Sequence, residues 1–182
     1  MRKTLLLFTT MALALLLAAG MAWAAPGPPT VVSTVPPTPA VTTPPTPPPT
    51  GVDIDANIKA KFSEAMKARS INTSTFYLLP GHFTYEQLNC TASICLALPA
   101  PVAATVRYND DTKTAVLNPT DPLASNTEYT AVVEGTGDGD MKAVKDRGGT
   151  AMAADYIFYF TTGSGVAAGA MAPWGRPRSD RG

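Results

Sequence analysis

The distribution of apolar and polar residues predicts a chain of short strands. In residues 58–62, Ile58, Ala60 and Phe62 alternate with Lys59 and Lys61, and a period of two is typical of a strand that buries one face. Similar runs predict strands at 74–79, 102–108, 113–118, 127–134 and 156–162. The residues between them are turn formers, apart from a single helical turn predicted at 66–70. The pattern therefore favours a β-sandwich or barrel of about seven strands.

The inward positions of these strands carry large aromatic residues. Phe62, Phe158 and Phe160 are expected to serve the fold by packing in the core. Tyr129 opens an inner strand shortly after a predicted turn. This placement resembles the tyrosine corner of Ig-like sandwiches, in which the hydroxyl bonds to backbone upstream.

Residues 25–50 form a Pro/Thr-rich segment with eleven of the 18 prolines of the chain. Proline lacks an amide hydrogen and has a fixed φ, so most of this segment is expected to be an extended, semi-rigid spacer. It contains one apolar island at 30–35, which predicts a first strand. Pro29 and Pro36 flank the island and favour an edge position in a sheet. Residues 36–50 are then either a linker or a loop inside the domain.

The first 24 residues have the form of a signal peptide. Arg2 and Lys3 precede an apolar run at 5–17, and residues 22–24 read Ala-Trp-Ala, an A-x-A cleavage site. We predict cleavage before Ala25, leaving a secreted or cell-envelope protein without a stable membrane span; the alternative is an uncleaved anchor or a misassigned start. The Gly/Ala-rich residues 163–182 are expected to be a disordered tail.

The net charge of the chain argues against nucleic acid as a partner, although it allows a local charged patch. The formal net charge is 0 and the pI is about 6.6, so the chain has no general attraction for polyanions. Residues 51–162, the predicted sandwich, carry 13 acidic and 9 basic side chains, which makes this part mildly acidic.

Cys90 and Cys95 are the only cysteines. In an oxidising compartment we expect them to form a structural disulfide that closes a small loop. A redox pair would favour the C-x-x-C spacing, and a zinc site would need more ligands than these two and His82.

Nothing in the sequence predicts catalysis or a cofactor. His82 is the only histidine, and neither a Gly-x-Ser-x-Gly motif nor a nucleotide-binding fingerprint occurs. A carboxylate pair of the glycosidase type remains an alternative. Asp110, Asp111, Asp138 and Asp140 offer oxygen atoms of the kind that Ca²⁺ prefers, yet an acidic turn is the simpler interpretation. We predict a protein that is not an enzyme and has no metal site.

Aromatic residues in or near the 80–101 connection are candidate binding residues. Phe83 and Tyr85 are the preferred pair, because exposed rings stack against the apolar faces of sugars. Three further aromatic residues could bind in the same way if their side chains face outward; these are Tyr77, Tyr108 and Tyr159. The alternative is that most of these rings pack against neighbouring strands.

Several segments together resemble the bacterial SbsA-type (Big_5) Ig-like domain. These segments are residues 29–36, 51–58, 62–66, 71–76, 117–119, 122–123, 126–129, 144–146, 153–156 and 158–162. The resemblance implies an Ig-like fold over about residues 29–162. It also implies a non-catalytic extracellular module with a structural or interaction role, for which an envelope protein or a cell-wall glycan is the expected partner. A small carbohydrate- or wall-binding protein that uses the 80–101 loop is the alternative.

This chain departs from the resembled pattern in three places. The Pro/Thr run replaces a short turn, residues 146–149 read Asp-Arg-Gly-Gly, and the 80–101 connection is long and carries both cysteines. The last feature is the most particular to this protein.

Overall fold

A computed structural model describes residues 27–37, 47–89, 97–136 and 142–165. The described chain contains seven strands and almost no helix. The strands are β1 (Val31–Val35), β2 (Ile58–Phe62), β3 (Phe76–Pro80), β4 (Ala104–Asn109), β5 (Thr114–Pro119), β6 (Glu128–Val133) and β7 (Tyr156–Thr161).

The strands form two antiparallel sheets with the order β1-β2-β5-β4 in one and β3-β6-β7 in the other. This is the four-plus-three arrangement of a constant-type Ig sandwich, in which the first, second, fifth and fourth strands face the third, sixth and seventh. The predicted all-β Ig-like sandwich of about seven strands is therefore confirmed. The strand β1 lies at an edge, as its flanking prolines predict.

The alternation in β2 shows why the sequence pattern specifies this fold. Ile58 and Ala60 lie opposite Leu117 and Ala115 of β5, and all four side chains are buried between the sheets. The intervening lysines of β2 are exposed on the outer face. A slip of one residue would bury those lysines, so the apolar pattern fixes the register.

Aromatic rings fill the space between the two sheets. Phe62, Phe158 and Phe160 are at most 1% exposed, and the ring of Phe160 stacks against Tyr129 at a centroid distance of 5.7 Å. Tyr108 packs against this core, and its ring makes a T-shaped contact with Phe62 at a centroid distance of 6.3 Å. An outward orientation of Tyr108 is therefore wrong, because its strand turns that face inward.

The strand β6 is buried on both faces, which simple alternation does not predict. Val132 and Thr130 point away from the main core and are nevertheless almost inaccessible, as is Leu79 of β3. The connection after β3 provides a reason: its Phe83 amide donates to the Thr130 hydroxyl at 3.0 Å, which places this segment on the outer face of the sheet.

Two local elements differ from the sequence-based prediction. The helical turn expected at 66–70 is a shorter 3-10 turn at Ala68–Ser70. An unpredicted α-helix, α1 (Tyr85–Leu88), follows β3 and begins with a capping box between Thr84 and Gln87. The motif T-x-x-Q is the sequence signal for such a helix start.

The Pro/Thr run connects two neighbouring strands of one sheet. Because β1 pairs with β2, residues 36–57 return the chain between them, and residues 38–46 of this return lie outside the described residues. Its far end is held to the other sheet, where the Thr161 amide donates to the Pro49 carbonyl at 2.9 Å and the Val52 amide donates to the Thr161 carbonyl at 3.1 Å.

Candidate functional site

The first candidate site is the segment at residues 81–89, which lies across the outer face of the β3-β6-β7 sheet. It begins at Gly81, whose φ of 107° is a conformation that favours glycine. The Gly81 amide donates to the Glu128 carbonyl at 2.7 Å, and the Thr130 hydroxyl donates to the Gly81 carbonyl at 2.7 Å. The start of the segment is thus fixed to β6 by backbone geometry.

His82 continues this attachment through its ring. Its Nδ1 lies 2.8 Å from a carboxylate oxygen of Glu128, and its ring stacks on Tyr159 of β7 at 4.2 Å with an angle of 13° between the planes. The Tyr159 hydroxyl in turn donates to the Phe83 carbonyl at 3.0 Å. Burial raises the pKa of Tyr159, and the negative charges of Glu86 and Glu128 add to the rise. His82 therefore holds the segment to the sheet, with no serine or cysteine partner among these contacts.

Phe83 and Tyr85, the two candidate binding residues, lie on this segment in different surroundings. Phe83 is half-buried, and its ring is close enough to Gly81 that a methyl group there would approach it to 3.1 Å. Tyr85 is 40% exposed at the first turn of α1. Of the pair, Tyr85 presents the freer ring to solvent, while Phe83 also anchors the segment.

The short helix α1 that carries Tyr85 is stabilised at its start. The Thr84 amide donates to the Gln87 side chain at 2.8 Å. Hydrogen bonds from its own backbone amide and from Thr84 lower the pKa of the Glu86 carboxyl, which keeps a negative charge beside Tyr85.

The second candidate site is a pocket that we call the basic pocket, lined by Lys67, Arg69, Ser70, Asn72, Ser74, Thr75, Lys142, Ala143 and Lys145. Its volume is about 440 Å³, and it is open to solvent. The four charged residues among its described lining are all cations. No sequence motif predicts this pocket, because its cations come from segments about 75 residues apart that only the fold brings together.

Other predicted site residues take structural positions or lie outside the described residues. The Ala124 amide donates to the Tyr129 hydroxyl oxygen at 2.9 Å. Asp110 pairs with Arg147 across the surface. Cys90, Cys95, Asp138 and Asp140, together with the proposed signal peptide, fall outside the described ranges. The described chain continues to Gly165, and the Gly163 amide donates to the Val52 carbonyl at 2.8 Å.

Within the described ranges, no group of three or more histidine, cysteine, aspartate or glutamate side chains is arranged to hold a metal ion. No described helix has both the length and the apolar character that a bilayer crossing requires.

Two solved bacterial structures resemble this chain at low sequence identity. No curated protein matches it significantly. PcoC, a copper resistance protein from Escherichia coli, matches with a TM-score of 0.47 and 19% identity over 73% of this chain and 98% of PcoC. The N-terminal part of the bacterial S-layer protein SbsC matches with a TM-score of 0.44 and 15% identity over 75% of this chain and 24% of that one.

The sequence pattern of a bacterial Ig-like domain, Big_5, matches residues 25–162. This range contains all seven strands and both candidate sites. The chain therefore belongs to the bacterial Ig-like domain family.

Proposed function

We propose that this protein is an exported, non-catalytic Ig-like module with a structural or interaction role at the bacterial cell envelope. The observation that carries the proposal is that two tyrosine hydroxyls and the His82 ring form contacts that hold the fold together. The Tyr108 hydroxyl accepts a hydrogen bond from the Met66 amide at 2.9 Å. The Tyr159 hydroxyl donates to the Phe83 carbonyl. The His82 ring contacts the Glu128 carboxylate and stacks on the Tyr159 ring. Groups that acid–base chemistry would use are here parts of the scaffold.

The sequence supports the location of this module. A charged start, an apolar run and an A-x-A site at residues 22–24 are the features by which a chain enters the secretory route. Because the Pro/Thr run connects β1 to β2, it would serve as a stiff loop that offers a contact surface within the envelope.

Fractionation of bacteria that produce the full chain tests this proposal. The full chain is expected outside the cytoplasm with residues 1–24 removed, and a variant lacking residues 1–24 is the control that should remain inside. Recovery of the full chain in the cytoplasm with Met1 intact would contradict export. Co-sedimentation of the exported chain with isolated cell walls then tests the envelope role, and complete release into the medium without wall retention would contradict it.

A second candidate function is binding of a neutral glycan at Tyr85 and Phe83. It is favoured by the 40% exposure of the Tyr85 ring on a segment whose backbone is already fixed to the sheet, since a fixed surface loses little entropy on binding. Tyr85→Ala should weaken retention on the polysaccharide that the wild type binds by about tenfold. Leu98→Ala, which removes an equally exposed apolar side chain of the same connection, is the matched control. Equal retention of Tyr85→Ala and wild type would refute this site.

A further inference from the structure

The basic pocket concentrates positive charge on a domain that is otherwise acidic. Four of the 9 basic residues in residues 51–162 line it, while the same range holds 13 acidic residues. None of the described residues that line the pocket is acidic. A concave surface lined by one sign of charge focuses its field and attracts ions of the opposite sign.

Three of these cations are not neutralised by the described part of the chain. Lys67, Arg69 and Lys145 form no ion pair with any described residue. This differs from Arg147, which pairs with Asp110 nearby. Cations gathered without a carboxylate repel one another, and a bound anion would remove that repulsion.

The backbone beneath the pocket is rigidly connected. The Lys67 amide donates to the Lys145 carbonyl at 2.8 Å. The Ser70 hydroxyl donates to the Lys67 carbonyl at 2.8 Å and accepts the Lys145 amide at 2.9 Å. The buried Thr75 hydroxyl donates to the Ser70 carbonyl at 2.7 Å. The two cation-bearing segments are thus joined before any ligand arrives, which reduces the entropy cost of binding.

The remaining lining residues indicate what kind of anion fits. Asn72 and Ser74 are exposed polar residues of the lining. The Asn72 side chain supports the local turn by accepting the Ser74 amide at 2.8 Å, and the Ser74 hydroxyl can bond to a sugar hydroxyl. No aromatic ring is among the described residues that line the pocket, so its lining favours charge and hydrogen bonding over stacking on a neutral sugar face. A volume of about 440 Å³ lies within the range of small-ligand pockets and accommodates one or two charged sugar units.

We propose that the basic pocket binds the anionic groups of a polysaccharide of the cell envelope, with Lys67, Arg69 and Lys145 pairing its carboxylates or phosphates. This inference rests on the proposed envelope function and adds the chemical class of the partner. It uses a surface distinct from the segment that carries Tyr85.

Titration of the full exported chain with polygalacturonate, which carries one carboxylate per sugar, tests the proposal. Uncharged dextran is the ligand control. The triple variant Lys67→Gln, Arg69→Gln, Lys145→Gln should bind polygalacturonate at least about tenfold more weakly than wild type, since each exposed ion pair contributes a factor of about two to five. A control variant removes the same charge from exposed positions of the β1-β2-β5-β4 sheet, by Lys59→Gln, Lys61→Gln and Arg107→Gln. Its affinity for polygalacturonate should fall less than about threefold.

Each other result would overturn the proposal. Equal losses in the two triple variants would mean a general charge effect. Dextran binding that the pocket variant weakens as much as polygalacturonate binding would mean that the pocket does not recognise charge. Equally tight binding of poly-glutamate or duplex DNA at these residues would assign the pocket to another class of partner. If the pocket variant does not fold, Arg69→Glu, at an exposed position, replaces it and should weaken binding at least about fivefold; unchanged binding would refute the site.

The fractionation experiment separates this inference from the function on which it rests. A wild-type chain found at the envelope together with unchanged binding by the pocket variant would refute the pocket alone. A wild-type chain retained in the cytoplasm would refute the proposed function, whatever the titration shows.

Discussion

The backbone amide of Ala124 donates a hydrogen bond of 2.9 Å to the hydroxyl oxygen of Tyr129, and the Tyr129 ring is only 4% exposed. The bond ties the connection after β5 to the start of β6, which is where a tyrosine corner lies in Ig sandwiches. Tyr129→Phe should lower the free energy of unfolding by about 1 kcal/mol, the usual contribution of one hydrogen bond. Urea denaturation measures this change.

Tyr85→Phe is the control for that substitution. It removes the same hydroxyl from a ring that is 40% exposed, and it should leave stability within about 0.5 kcal/mol of wild type. Equal denaturation midpoints for Tyr129→Phe and wild type would contradict a structural role for the corner.

The centre of the four-stranded sheet should be sensitive to cavity formation. Leu117 is 1% exposed and lies opposite both Ile58 of β2 and Val106 of β4. Leu117→Ala should cost about 3 kcal/mol, because the neighbouring strands cannot close the space left by the side chain. Leu98→Ala makes the same change at a 40% exposed position and should cost less than about 0.5 kcal/mol. Similar losses at the two leucines would argue against this core.

Gly135, just after β6, has no room for a side chain. Its amide donates to the Asp155 carboxylate at 2.7 Å, and a methyl group on its α-carbon would overlap the backbone carbonyl of Ala154. Gly135→Ala should therefore destabilise the protein by about 3 kcal/mol, since backbone must shift to relieve the overlap. Gly27→Ala, where a methyl group meets nothing within 4 Å, should leave the melting temperature almost unchanged. A stable Gly135→Ala protein would contradict the packing described.

Alkaline pH should weaken the contact between Tyr159 and the 81–89 segment. Burial raises the pKa of Tyr159 in the folded state, so the unfolded chain releases this proton first as the pH rises. The corresponding stability is fully present below the unfolded pKa of about 10 and is lost as the pH rises through the folded pKa. Between about pH 9 and about pH 11, the denaturation midpoint of wild type should fall more steeply than that of Tyr159→Phe.

The matched comparison is Tyr85→Phe, which retains Tyr159 and should follow the wild-type pH dependence. Parallel curves for Tyr159→Phe and wild type would show that burial of this hydroxyl does not couple to folding.

The disulfide between Cys90 and Cys95 remains a prediction from the sequence. If the chain is exported, alkylation of the unreduced, unfolded protein should label neither thiol, and prior reduction should make both available. A closed loop this small should contribute about 2 kcal/mol to stability. Labelling of both thiols in the unreduced protein would refute the predicted disulfide.

The fold class and the core strands could be predicted from the amino-acid pattern. Alternation places Ile58, Ala60 and Phe62 on one face of β2, and the apolar face of a strand has to be buried against a second sheet. The inward positions of Phe158 and Phe160 followed from the same period of two. Such information is local, because successive side chains in a strand point to opposite faces.

The surroundings of the outer surfaces depend on long-range contacts that the amino-acid pattern does not contain. Alternation predicts that Thr130 and Val132 of β6 are exposed on the outer face, yet both are buried. The segment after β3 lies against Thr130, whose hydroxyl accepts the Phe83 amide. The sequence predicts nothing more for Lys67 and Lys145 than exposure to solvent. A backbone hydrogen bond between their distant segments makes the two lysines neighbours. A pattern of period two specifies which face a residue takes, whereas the approach of a loop or of another charge depends on connections that no local pattern contains.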